Sequence, residues 1–193
     1  ESLLAMGELL LPEDPDAATA CLHQAIAAAP HLPEPRLRLA ASAAAAGQTS
    51  TAEQTLRQAR AELPDSAPIR NDLACLLSAA RRHDEALAEF RDLLELAPDD
   101  ARYHYNYASA LEDAGNPTAA EAEYRSALHL DPAHADAANN LGCLLARQHR
   151  ITEAIAILRD ACERHPTVPE LRRNLALARR LQAAAAATTT REH

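Results

Sequence analysis

Prolines stand at Pro30, Pro64, Pro98, Pro132 and Pro166, each 34 residues after the one before. A fixed period of this length marks a chain assembled from copies of one supersecondary unit, each leaning on its neighbours to bury its apolar face. The same offset aligns Ala18, Ala52, Ala86, Ala120 and Ala154, then Leu22, Leu56, Phe90, Tyr124 and Leu158, then Ala25, Ala59, Leu93, Ala127 and Ala161. Earlier in each unit a small residue recurs at Ala40, Ala74, Ala108, Gly142 and Ala176. A large one precedes it at Leu39, Leu73, Tyr107, Leu141 and Leu175.

Within a unit the apolar positions follow helical spacing, as in Leu141 and Leu145, then Ala154, Leu158 and Ala161, so each unit is two helices. The turn signals Ala46-Gly47-Gln48 and Ala114-Gly115-Asn116-Pro117 separate the two, because glycine accepts positive φ and proline presets a helix entry. The periodic proline ends the second helix by driving the residue before it out of helical geometry. The pattern predicts helices over 1–11, 15–29, 34–46, 50–63, 68–82, 84–96, 101–114, 118–130, 135–148, 152–164 and 169–186.

Composition narrows the function classes. Hydrophobic residues make up 48% of the chain and aromatics 3%, so alanine and leucine supply the packing surface. The four glycines are scattered, which leaves no glycine-rich loop to cradle a phosphate. Net charge is −9 and all 19 basic residues are arginine, without a basic stripe, which excludes nucleic acid as an expected partner. No apolar run reaches the roughly 18 residues a membrane span needs, and no signal peptide is visible. The chain starts at Glu1 inside a repeat, and so reads as part of something longer.

Cys21, Cys75, Cys143 and Cys162 are too dispersed for a disulfide framework, which points to a reducing, cytoplasmic setting. His129 and His134 straddle a helix end without metal-ligand spacing. Catalytic signatures are absent, so the expectation is a non-enzymatic chain with no catalytic residue, no metal and no cofactor.

These columns resemble the tetratricopeptide repeat family. The unit Ala135–Val168 matches best, through Leu141-Gly142, Leu145, Ala154, Leu158, Ala161 and Pro166. The aromatic usual early in the first helix is replaced by Arg36, Arg70, His104, Ala138 and Arg172, and Met6 stands in the small column of the first unit. The resemblance implies an all-α fold, a right-handed superhelical solenoid of about five helical hairpins plus a C-terminal capping helix. The expected organisation is a truncated repeat over 1–32, repeats over 33–66, 67–100, 101–134 and 135–168, a capping helix over 169–187 with an arginine-rich outer face, and a frayed tail over 188–193.

The family geometry also implies that first helices line a concave groove. One column there reads Arg38, Asp72, Asn106, Asn140 and Asn174. A side-chain amide both donates and accepts, so it can hold a peptide backbone without regard to sequence. The column resembles the asparagine ladder in the repeat superhelix of O-linked N-acetylglucosamine transferases. The competing reading is that these asparagines bond a neighbouring repeat. Beside them lie Asn71, Tyr105, Asn139 and Arg173, with Cys75, Ser109 and Cys143 as a shallow floor. The expected groove is thus Asp72, Asn106, Asn140, Asn174, Asn71, Tyr105, Asn139, Arg173, Ser109 and Cys143, binding a protein or peptide in extended conformation. Two alternatives stand beside this scaffold reading: a substrate-recruiting region of a larger enzyme such as a protein glycosyltransferase, and a self-association module forming a homo-oligomer.

Overall fold

A computed structural model describes residues 14–189 together with Leu3, Ala5 and Gly7. The expected helix over 1–11, Met6 and the last four residues of the chain therefore lie wholly or mostly outside the described residues. Ten α-helices are described: α1 (Pro15–Ala28), α2 (Glu34–Ala45), α3 (Thr49–Glu62), α4 (Ala67–Ala79), α5 (His83–Leu96), α6 (Ala101–Asp113), α7 (Pro117–Leu130), α8 (Ala135–Arg147), α9 (Ile151–Arg164) and α10 (Pro169–Thr189). No strand is present among the described residues, and no helix there is long and apolar enough to cross a membrane. The helices group into two compact units, residues 1–98 and 99–193.

The hairpins have the expected cores. Every member of the three second-helix columns, from Ala18, Leu22 and Ala25 to Ala154, Leu158 and Ala161, is buried. In the first unit, Ala40, Leu56, Leu73, Leu77 and Ala86 form one cluster across α2 to α5. In the second, Ala138, Leu158, Ala161, Leu171, Leu175 and Ala178 join α8, α9 and α10. Fully burying one leucine of this kind contributes about 1.5–3 kcal/mol.

Each second helix ends as the prolines demand. Ala29, Leu63, Ala97, Asp131 and His165 leave helical geometry with ψ between 67° and 93°, one residue ahead of the periodic proline. The turns inside the hairpins share one motif. Gly47, Arg81, Gly115 and His149, again 34 apart, all take positive φ, at 74°, 62°, 79° and 62°. Each belongs to a Schellman cap: the next amide bonds back five residues, as in Gln48 to Ala43 at 2.8 Å and Arg150 to Leu145 at 2.9 Å. This corrects the helix expected over 68–82: α4 stops at Ala79, because Arg81 takes the left-handed position without a glycine to announce it.

At three of the five positions that lack the aromatic, ion pairs and polar bonds cross the hairpin instead. Arg36 donates to Glu62 through Nε at 3.0 Å and through its terminal nitrogen at 2.6 Å. Arg70 reaches Glu89 and Asp92, both at 3.2 Å, and His104 bonds Glu123 at 2.7 Å. In each case the partner is on the second helix of the same hairpin, so the pair spans the space an aromatic ring would fill. Arg36 and Glu89 are buried.

Second helices are also tied to each other. Glu53 and Arg57 on α3 meet Arg82 and Glu85 at the start of α5, with contacts of 2.6–2.9 Å. An equivalent box recurs 68 residues on, where Glu121 and Arg125 on α7 meet Arg150 and Glu153 at 2.5–3.3 Å. Between α1 and α3 the matching positions are Thr19, His23, Gln48 and Thr51, and there a cavity of about 470 Å³ opens instead. Its floor includes Ser42 and Ala43, where the next hairpin carries Leu76 and Leu77.

Candidate functional site: the first-helix wall of the second unit

In the second unit the first helices are joined through their polar side chains. Asn174 on α10 donates to Asn139 Oδ1 on α8 at 2.8 Å. Asn139 donates to Asn140 Oδ1 at 3.4 Å, and Asn140 donates to the Tyr124 hydroxyl at 3.4 Å. Tyr124 then donates to Glu112 Oε2 at 3.1 Å, and Arg147 donates to the same carboxylate. The donors run in one direction from α10 toward α6 and end on a charge, an arrangement in which each bond polarises the next. Asn139, Asn140 and Asn174 are half-buried.

Tyr105 closes the wall on α6. Its ring lies 4.8 Å from the His134 ring and 6.1 Å from that of Tyr124. His134 caps α8: its Nδ1 accepts the Ala137 amide at 3.3 Å, so the neutral ring carries its hydrogen on Nε2. Burial, then the charges of Asp136 and Glu112, push the Tyr105 phenol up. Burial likewise raises Tyr124 and the Cys143 thiol. Raised in this way, neither tyrosine nor Cys143 ionises near neutral pH, and what the three groups present there is uncharged hydrogen-bonding surface.

Of the expected residues, Asn139, Asn140, Asn174 and Tyr105 are drawn together. Asn106, Ser109 and Cys143 are half-buried on the same helices, whereas Arg173 is exposed and paired with Glu170 at 2.9 Å. In the first unit, Asn71 donates to Asp72 at 3.1 Å and Cys75 lies 3.9 Å from Asn71. Burial raises Asp72 and, with the Asp72 charge, pushes the Cys75 thiol up to about 11. Sequence reasoning assigned Tyr124 to packing alone and considered His134 only for metal. The ring of Tyr124 does pack, but its hydroxyl reaches through to the wall, which periodicity cannot reveal. Between α8 and α10 a cavity of about 350 Å³ lies beside Asn174, lined by Gly142, Cys143, Leu177 and Leu181 among others.

Comparison with known proteins agrees with this architecture. One tetratricopeptide-repeat profile matches residues 71–135 and 110–169, and a second matches residues 9–65. No curated protein sequence matches. Among solved structures, a thermophilic TPR protein of Thermus thermophilus is similar with 24% identity and a TM-score of 0.70, over 92% of this chain and 97% of that one. MamA from Desulfovibrio magneticus RS-1 gives 18% identity and a TM-score of 0.72, over 86% and 94%. Yeast Tom70 gives 20% identity and a TM-score of 0.82, over 95% of this chain and 40% of that chain. At these identities the structural likeness speaks for the fold alone. The first profile by itself spans residues 71–169, more than half of the 193-residue chain, and the chain belongs to the tetratricopeptide repeat family.

Proposed function

We propose that this chain is a protein-interaction scaffold whose first-helix wall in the second unit holds an extended segment of a partner protein. The observation that carries the reading is the amide line of Asn139, Asn140 and Asn174, half-buried and shared between α8 and α10. Asn174 makes one of the wall's hydrogen bonds and Asn139 and Asn140 two each, which leaves every amide at least one donor hydrogen and one acceptor lone pair. Helices spaced about 8–10 Å apart match an extended chain advancing about 3.3 Å per residue, so one amide serves every second or third peptide residue. Such contacts read backbone, and side-chain preference comes from what surrounds them.

The test is selection from displayed random peptides, followed by affinity measurement for the winners on the wild-type chain and on Asn140→Ala and Asn174→Ala. With about 1 kcal/mol per lost hydrogen bond, each substitution weakens binding by about fivefold. Peptides that bind all three proteins equally well would remove the amide line from the site.

A further inference from the structure

The wall distributes its charge unevenly. On α6 and α8 both arginines already have a carboxylate: Arg102 donates to Asp100 at 2.7 Å, and Arg147 donates to Glu112. Asp113 at the end of α6 and Asp136 in the first turn of α8 form no ion pair among the described residues. The second unit does hold arginines that form no ion pair among the described residues, but Arg159 lies on the second helix α9, and Arg172, Arg179 and Arg180 lie on α10, beyond α8. On α6 and α8 the balance is therefore negative, and of the two carboxylates without an ion pair Asp136 is the one that acts on Tyr105.

The same corner presents aromatic surface. The Tyr105 and His134 rings lie 4.8 Å apart, tilted by 36°, and neither residue is fully buried. Ring faces attract cations, by about 0.5–1 kcal/mol at exposed sites. The N-terminus of α8 opposes this with about half a positive charge, but Asp136 supplies a full negative one at the same place. Asp136 follows His134 by two residues in the first turn of α8, and its charge is among those that push the Tyr105 phenol up.

We infer that the segment held on this wall carries an arginine or lysine whose side chain sits against the Tyr105 and His134 rings, with Asp136 as its counterion. The inference rests on the peptide-binding reading of the wall and adds the chemistry of the partner: an extended, basic segment.

Displayed random peptides of about twelve residues, long enough to cross three helices at about 3.3 Å per residue, are selected on wild type, Asp136→Asn and Tyr105→Leu. Arginine or lysine is expected to be enriched at one position on wild type. On Asp136→Asn, whose side chain is exposed and whose fold is checked by circular dichroism, peptides are still recovered but the enrichment disappears. Replacing the basic residue of a selected peptide by methionine costs about fivefold in affinity on wild type and little on Asp136→Asn. Peptides recovered from wild type without basic enrichment, or with the same enrichment on both variants, overturn the inference and leave the wall as a backbone reader. Recovery of no peptide from wild type overturns the wall reading itself, and the inference falls with it.

Discussion

Gly142 on α8 lies so close to Leu158 on α9 that a Cβ built on the glycine would stand 2.5 Å from Leu158 Cγ and 2.8 and 3.0 Å from its two methyls. The equivalent Ala40, Ala74 and Ala108 keep their methyl groups and are buried, so this hairpin is drawn closer than the column requires. Gly142→Ala gains about 1 kcal/mol of helix propensity but forces a buried, branched side chain to move. The expected net result is a loss of about 1–2 kcal/mol in chemical denaturation. Adding Leu158→Ala makes room, so the double variant is more stable than the sum of the two single losses.

The hairpin turns respond to glycine in opposite directions. Arg81 and His149 hold positive φ with exposed side chains, so Arg81→Gly and His149→Gly should each stabilise by up to about 1 kcal/mol. Gly47→Ala and Gly115→Ala should each cost about 1 kcal/mol, although a Cβ at either position meets nothing within 4 Å. Urea denaturation of the four variants checks both signs.

The cavity over α2 is open to improvement. Leu77, Leu111 and Leu145 occupy the Ala43 column in later hairpins and are all buried. Ala43→Leu is expected to raise stability by about 1 kcal/mol, seen as a rise of roughly 2–4 °C in Tm. An unchanged or lower Tm would mean that the lining cannot accept the side chain.

The two ion boxes tie stability to acid pH. Hydrogen bonds from Arg57 and then Arg82 hold Glu53 below the usual carboxylate range, and Arg150 does the same for Glu121 and Glu153. A carboxyl lowered in the folded state contributes fully above its unfolded value near 4.5, and the contribution is lost as pH falls through the folded value. Stability should therefore be level from neutral pH down to about 5.5 and drop below about 4.5. The drop should be shallower in Glu53→Gln/Glu121→Gln, measured by urea denaturation across the acid range.

The repeat was legible because one steric rule recurs at one spacing. Proline placed each second-helix end, and alanine and leucine columns placed each core, so most helices lie within a residue of expectation. The exceptions were the end of α4, where Arg81 does the work of a glycine and leaves no mark in composition, and the end of α10, which stays helical to Thr189, past the expected 186 and into the expected frayed tail. Long side chains were harder. Nothing in the spacing told that Arg36, Arg70 and His104 would stand in for aromatic rings by finding carboxylates across the hairpin. The Asn140 column was visible, but whether its amides turned outward or toward neighbours depended on Tyr124, which sits 16 residues away in sequence and on another helix.

The Asn139–Asn174 bond has a kinetic consequence. Because these amides already hold one another, a strand held on the wall as proposed would take up only their remaining hydrogens and lone pairs, and water would reclaim each contact as soon as it let go. Grip built this way is shallow at every step and accumulates only with length. Short segments would come and go quickly, while long ones would be retained.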